Sequence, residues 1–425
     1  MKSLKSISIF ILLISISVLS SCLKTDTNKN NENNKLTDLV IPDWFTWSTS
    51  RKVTLKLSST KPVKLAAFLN ESCSQNKKIV ECLATNQQDD PLILSVPNEG
   101  QKLFLKYEKS DGEYKIIPLE IPSNNIIQYV VPEDAKAAKT TIQGTKANYY
   151  GETGIIYYPS EGWGTILFED LFPDKGDYDF NDFVANYKLQ LYLQNWNKAY
   201  GAMIGLNVNA VGGQLPYQMY LQLDGVTTKE IDNIEVLDGN IRNCDNFICE
   251  LISSNDPNSP AIIAFRNIEK NPNKQENSKY INTEKDYKLS YDQLVSVSIM
   301  VYFKNSINLI NLSEDKFNFF LAKGNSSNLE EIHVSGYAPS KFGINMYNNL
   351  KKNSSNLNPN DSRYYYSKDN FTWGLLVPDN IPHTYESVDF IKAYPKFRNW
   401  AVSGGREYAN WYDIEYREEQ YLINY

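Results

Sequence analysis

The sequence predicts a mainly β protein. A small antiparallel N-terminal β-sandwich, Ig-like, is followed by a larger β-sandwich or jelly-roll-like domain with short C-terminal helices. Three observations predict this. Short runs of alternating apolar and polar residues recur along the chain, and turn residues separate them. Tyr is abundant, with 29 in 425 residues, and favours strands. Hydrophobic residues make up 42 % of the chain, enough for a buried core.

Residues 1–21 read as a secretory signal. Lys2 and Lys5 supply the positive start, and Ile7 to Leu19 is an apolar run broken only by Ser. That run is shorter than the roughly 20 residues of a membrane-spanning helix. It ends in Leu19-Ser20-Ser21-Cys22, which resembles the lipobox of bacterial lipoproteins, with Cys22 as the acylated residue. Acylation would tether the protein to a membrane through a lipid anchor, each buried CH₂ contributing about 0.8 kcal/mol. Residues 22–36 are polar and Asn-rich and read as a flexible tether. The expected location is an exported, membrane-anchored one, on the outer membrane and at the cell surface.

Residues 37–135 read as the N-terminal β-sandwich module. Val53, Leu55 and Leu57 alternate with Lys52, Thr54 and Lys56, the pattern of a half-buried strand. Further short apolar runs follow at 64–69, 92–94, 103–105 and 116–119, separated by turns such as Pro97-Asn98-Glu99-Gly100. Residues 136–148 read as a linker and 149–425 as the larger β domain. In that domain Phe183, Ala185, Tyr187, Leu189, Leu191 and Leu193 share one parity, which predicts a long strand with one apolar face. Residues 219–223 and 295–303 look similar, and 271–282 and 351–362 read as loops. Phe390, Ile391, Tyr394, Phe397 and Trp400 follow a helical period, split by Pro395 and stopped by Gly404-Gly405.

Four cysteines remain beyond Cys22. In an exported chain the simplest pairing is Cys73–Cys82 and Cys244–Cys249. Buried free thiols are the alternative.

Several function classes are excluded. The formal charge of −7 argues against nucleic acid as a partner. The two His, His333 and His383, are too few for a multi-histidine metal site, and neither is assigned to chemistry. No P-loop, Rossmann fingerprint or G-x-S-x-G elbow occurs.

The informative stretch is residues 161–182, EGWGTILFEDLFPDKGDYDFND. Seven carboxylates and a single cation, Lys175, are interleaved with aromatic residues. The aromatics have to pack, which draws the carboxylates together. Clustered like charges cost energy unless they protonate or meet a cation. Asp177, Asp179, Asn181 and Asp182 offer oxygens at close spacing, and Glu169 and Asp170 could close the shell or hold a second ion. Calcium, which takes six to eight oxygens in flexible geometry, fits best, as a structural ion. The stretch is not an EF-hand, since Asp182 and Lys188 stand where that loop needs Gly and Glu. The competing reading is that Asp177, Asp179 and Asn181 only cap turns.

FEDLFPDKGDYDFNDFVANY resembles the signature of LruC-domain lipoproteins, an exported bacterial family of unassigned function, with Phe172 where the pattern has Trp. The resemblance continues through Glu331-Ile332-His333-Val334-Ser335-Gly336-Tyr337-Ala338-Pro339, Trp373-Gly374-Leu375-Leu376-Val377-Pro378 and Trp400-Ala401-Val402-Ser403-Gly404-Gly405. It implies an exported, mainly β domain with a calcium-type acidic loop and carries over no catalytic residue.

The expected function is a binding or adhesion module for glycan or protein, with a calcium-stabilised β domain. Tyr364-Tyr365-Tyr366 and Trp411-Tyr412 are candidate stacking surfaces, or else core. A carbohydrate-active hydrolase is one alternative and would need two carboxyls across a cleft. A non-catalytic structural component of an envelope complex is another.

Overall fold

The computed structural model describes residues 35–84, 91–138, 154–195, 197–252, 256–325 and 328–424. The signal segment, Cys22, most of the tether and residues 139–148 of the expected linker lie outside them. Residues 35–425 form one compact unit.

The architecture is mainly β, as expected. The first strands are β1 (Ser50–Ser58), β2 (Val63–Phe68), β3 (Lys78–Ala84), β4 (Leu92–Pro97), β5 (Lys102–Glu108), β6 (Tyr114–Glu120) and β7 (Ile126–Val130). Then come β8 (Gly154–Tyr158), β9 (Gly164–Phe168), β10 (Phe183–Asn195), β11 (Lys198–Ala210), β12 (Gln218–Thr227), β13 (Ile231–Val236) and β14 (Ile248–Leu251). The last are β15 (Pro260–Arg266), β16 (Val295–Asn308), β17 (Phe317–Asn325), β18 (Asn328–His333), β19 (Gly374–Val377), β20 (His383–Thr384) and β21 (Leu422–Ile423). Three helices, α1 (Ile344–Asn353), α2 (Phe390–Ala393) and α3 (Pro395–Val402), fall late in the chain.

The largest sheet has eleven strands, with the order β13-β16-β11-β10-β8-β3-β2-β5-β6 and with β9 and β19 added beside β10. A five-stranded sheet runs β14-β15-β12-β17-β18, and a three-stranded one runs β4-β1-β7. Strand β10 organises the large sheet. Its odd-numbered residues Ala185 to Leu193 lie in the core, as their parity predicts. One edge pairs with β11. The other is divided: Leu189 to Tyr192 pair with β8, and Phe183 to Tyr187 with β9. The acidic segment fills the connection from β9 back to the start of β10.

The expected boundary between residues 37–135 and 149–425 needs correction. A two-sheet N-terminal sandwich exists, but one of its sheets continues into the larger domain, because Val80 to Cys82 of β3 pair with Ile156 to Gly154 of β8. The physical reason is the unsatisfied edge of β3, whose N–H and C=O groups need a partner that β8 supplies. One hydrophobic cluster runs from Val53 and Leu65 to Leu189, Ile204 and Phe319. Glu314 spans the same junction. Buried, its carboxyl accepts hydrogen bonds from Ser50 Oγ at 2.9 Å, Tyr187 OH at 2.9 Å and Ser95 Oγ.

The expected disulfides are not formed; Cys73, Cys82, Cys244 and Cys249 are free thiols. Cys82 lies in the core side of β3, while Cys73 sits in a turn at φ 51°. Cys244 points its thiol at the Asn267 carbonyl, 3.5 Å away, rather than at Cys249. Burial pushes the Cys244 thiol up to about 11 and Cys249 up to about 12, which leaves both protonated at neutral pH.

The C-terminal helices follow the sequence closely. Pro395 opens α3 at its first turn, and Gly404 and Gly405 end it at φ 66° and 83°. Helix α1 was not expected. It is polar, and Tyr347 is its buried residue. A second, aromatic core joins α2 and α3 to the N-terminal stretch: Leu36, Phe45 and Trp47 pack with Phe397, Trp400 and Trp411.

Candidate metal centre

The acidic segment is built by alternation. After β9 the chain passes Glu169 and Asp170, turns, and runs back toward β10. Tyr178 and Phe180 send their rings into the aromatic core, and both hold φ 54°. A left-handed backbone costs about 1–2 kcal/mol at each non-glycine residue, so packing has to impose it. Tyr178 lies 5.5 Å from Phe371 and Phe180 lies 5.3 Å from Phe390, ring centre to ring centre. With 178 and 180 turned inward, Asp177, Asp179 and Asn181 fall on the other side.

That side faces Glu169. Oxygens of Glu169, Asp177 and Asp179 come within 4.8 Å of one another. Glu169 is fully buried, while Asp177 reaches solvent. Glu169 accepts the amide of Phe180 at 2.6 Å and that of Tyr178 at 3.3 Å. Asp179 accepts Asn181 N at 3.1 Å, Asn181 Nδ2 at 2.8 Å and Ser387 N at 2.7 Å. Ionised carboxylates offer about four lone-pair sites each, so amides do not exhaust them. Asn181 Oδ1 is buried and has no partner among the described residues.

Of the six expected ligands, three meet at this focus and Asn181 adjoins it. Asp170 and Asp182 form a neighbouring pair instead. Asp182 Oδ2 accepts Asp170 N at 2.8 Å, and Asp170 Oδ2 accepts Leu215 N at 3.3 Å. Glycines press on three of these groups, Glu169, Asn181 and Asp170. A β-carbon at Gly176 would strike Glu169 Oε2, and one at Gly212 would come 2.5 Å from Asn181 Oδ1. One at Gly213 would come 2.5 Å from Asp170 Oδ2.

The electrostatics are one-sided. Burial, then Asp182, Asp179 and Asp177, push the Glu169 carboxyl well above its ordinary range. Burial, then Asp177 and Asp182, push Asp179 up to about 8. Burial, then Asp170, raise Asp182 to about 8. Lys175, the cation of the segment, is engaged by Asp369 at 2.5 Å. Glu386 adds a further carboxylate. It raises Asp179 and Asp182, and its Oε2 accepts Thr283 Oγ1 at 3.2 Å. Sequence reasoning missed Glu386 and Ser387, and no spacing signal points to them. They follow β20, some two hundred residues downstream.

The donor set is oxygen only, crowded and negative, with an unpaired amide oxygen beside it. That chemistry fits a hard divalent cation of calcium's size and flexible coordination. Of the candidate stacking residues, Tyr365, Tyr366, Trp411 and Tyr412 are buried in the core and Tyr364 is half-buried. His333 is buried too, between Phe320 and Tyr365, with Nδ1 at 2.7 Å from Asn318 Oδ1 and Nε2 at 3.1 Å from Glu331 Oε2.

Residues 197–412 match the model of a family described as a domain of unknown function (DUF4842). The match begins after the acidic segment and includes Glu386. A solved candidate lipoprotein from Bacteroides ovatus shares the fold, with a TM-score of 0.63 and 20 % identity. The likeness covers 85 % of this chain and 99 % of that one. No curated protein matches the chain.

Proposed function

The chain belongs to the DUF4842 family, and on that premise we propose that it is an exported, lipid-anchored binding protein whose β unit is ordered by calcium. The convergence of Glu169, Asp177 and Asp179 beside the unpartnered Asn181 Oδ1 carries the metal reading. Turn-capping alone would satisfy the amides of Tyr178, Phe180 and Asn181, but it leaves the mutual repulsion of buried carboxylates unanswered. Glu169, Asp177, Asp179 and Asn181 would hold the ion. Its charge would keep the carboxyls ionised at neutral pH and fix the loop between β9 and β10.

The anchor reading rests on the charged start, apolar run and Leu19-Ser20-Ser21-Cys22. The Bacteroides ovatus neighbour, itself a candidate lipoprotein, and the LruC-type segment at 168–187 support it. No helix among the described residues is long and apolar enough to cross a membrane. We place the protein on the outer membrane, facing the cell surface. Proteinase treatment of intact cells tests the orientation, and Cys22→Ser, which should abolish acyl labelling, tests the anchor.

Binding is favoured over hydrolysis. A glycosidase presents two carboxyls to a cleft about 5–9.5 Å apart. Here Glu169 is fully buried beneath two amides and out of reach of a substrate.

The deciding experiment is calcium titration of the purified mature chain, read by calorimetry and by thermal melt. Saturable heat and a melting temperature that falls in chelator are expected. No heat and an unchanged melt would sink the metal reading.

A further inference from the structure

The stretch that follows the tether is pinned to the aromatic core along one side. Leu36 N donates to Asp389 Oδ2 at 2.8 Å, which fixes where the folded unit begins. Leu39, Ile41, Phe45 and Trp47 then face inward. Phe45 lies 4.8 Å from Trp400, and Trp47 lies 5.7 Å from Phe397, ring centre to ring centre. Hydrogen bonds to its carbonyls hold the stretch in place. Asn370 Nδ2 donates to Ile41 O at 3.0 Å, Phe45 N to Pro42 O at 3.1 Å, and the Arg363 guanidinium to Asp43 O.

The residues between these anchors point outward. Val40 is 84 % exposed and Trp44 60 %, whereas Trp47, Trp373, Trp400 and Trp411 are buried. The end of α3 lies against them. A β-carbon at Gly404 would come 2.7 Å from Trp44 Nε1 and 3.6 Å from Pro42 Cγ. Val402, two residues earlier, is exposed. Exposed Arg406 sits with its guanidinium 5.5 Å from the Trp44 ring centre. The pinned backbone keeps Val40 and Trp44 from turning inward, so Val40, Pro42, Trp44 and Val402 form standing apolar surface. The exposed charges around it nearly balance, with Lys35 and Arg406 against Asp38, Asp43 and Glu407.

We propose that this patch docks the folded unit on the lipid surface that carries its anchor, with Trp44 and Val40 seated at the level of the headgroups. The length of the tether selects this occupant. Twelve residues separate Cys22 from Lys35, so the start of the folded unit stays within about 45 Å of the acylated residue. Val40 and Trp44 follow Lys35 by five and nine residues, which holds them near the bilayer at high effective concentration. A contact too weak to recruit a free protein is then enough to orient a tethered one. Indole favours the membrane–water boundary, where its ring meets acyl chains and its N–H meets headgroups. Arg406 can extend past the ring to the phosphates. The balanced charge and the net −7 of the chain make the contact apolar rather than a salt-dependent attraction to anionic lipid. The proposal rests on the lipid-anchored reading above and adds which face of the protein meets the membrane.

The test uses the chain from residue 23 onward with an N-terminal hexahistidine tag. Vesicles of phosphatidylcholine and phosphatidylethanolamine with a nickel-chelating lipid hold it by the same end as the natural anchor. Tryptophan emission is compared on ordinary vesicles and on vesicles whose phosphatidylcholine is brominated along its acyl chains. Brominated lipid should quench the wild type, and Trp44→Phe should lose more than half of that quenching. Val40→Asp should reduce it as well, and high salt should leave it in place. Both substitutions are at exposed side chains and should leave the melting temperature unchanged. No quenching in the wild type, or equal quenching in the wild type and Trp44→Phe, overturns the proposal. So does a dimer in solution that Trp44→Phe dissolves, with no quenching on vesicles, because a second copy would then cover the patch. Acyl labelling of Cys22 in cells reads the anchor separately. A chain that is quenched through Trp44 but never acylated would overturn the anchor reading and leave the lipid-docking face standing.

Discussion

Asp177 is the member of the carboxylate focus that reaches solvent, which makes it the cleanest residue to change. Asp177→Asn removes one charge from the proposed calcium site and one source of repulsion from Glu169 and Asp179. Calcium affinity should fall about tenfold, equivalent to about 1.4 kcal/mol. The melting temperature in chelator should stay level or rise. Calorimetry and a melt read the two effects separately, and a variant that lost stability in chelator would mean that Asp177 is a structural cap. The spacing Asp177-x-Asp179-x-Asn181 is legible in sequence because local alternation alone puts those oxygens on one side. Glu386 is not, because it arrives through the pairing of β20 with β21, which no local pattern encodes.

Elements show the same division. The long strand β10 and the split helix α2–α3 can be read from parity, Pro395 and the Gly pair, since each depends on neighbours in sequence. The joining of β3 to β8 cannot, because a strand's own residues state which face is buried but not which edge accepts it. Gly405 ends α3 at φ 83°, and a β-carbon there would come 3.2 Å from Phe45 Cε2. Gly112, at φ 92°, has open space around it. Gly112→Ala should therefore cost only the backbone term, about 1 kcal/mol, and Gly405→Ala about 1–3 kcal/mol, because the ring has to shift as well. Denaturant midpoints rank the two. An equal cost would show that Phe45 yields freely and that the aromatic core is looser than its packing implies.

At the scale of the whole molecule, acid should act through His383. It is fully buried, and its Nε2 lies 2.7 Å from the Asn282 carbonyl. Burial lowers it from 6.5 to about 4, with Lys288 adding to the effect and the Asn282 carbonyl opposing it. Below 6.5 the unfolded chain binds a proton that the folded one refuses. Stability from this group is complete above pH 6.5 and is lost as pH falls toward 4, by about 3 kcal/mol. Asp179 and Asp182, raised to about 8, act in the opposite sense in the metal-free protein, losing stability as pH rises from about 4 to 8. The difference between wild type and His383→Gln isolates the histidine, and equal slopes in the two proteins would refute its role.

Calcium removal should not loosen the molecule evenly. Tyr178 and Phe180 sit in the aromatic core with Phe390 and Phe397, while Glu169, Asp177 and Asp179 beside them would repel one another without the proposed ion. The amides of Tyr178, Phe180 and Ser387 are held by Glu169 and Asp179 themselves. Strain released at the focus therefore passes first to residues 169–182 and to the 384–402 stretch, where α2 and α3 lie. The five-stranded sheet is built on the other core and carries none of these bonds. Hydrogen exchange in chelator should show faster exchange in 169–182 and 384–402 than in β12, β15 and β17, with calcium restoring the difference. Uniform acceleration across all of these segments would mean that the ion supports the whole fold at once. No change in either segment would mean that hydrogen bonds and aromatic packing hold the loop without it.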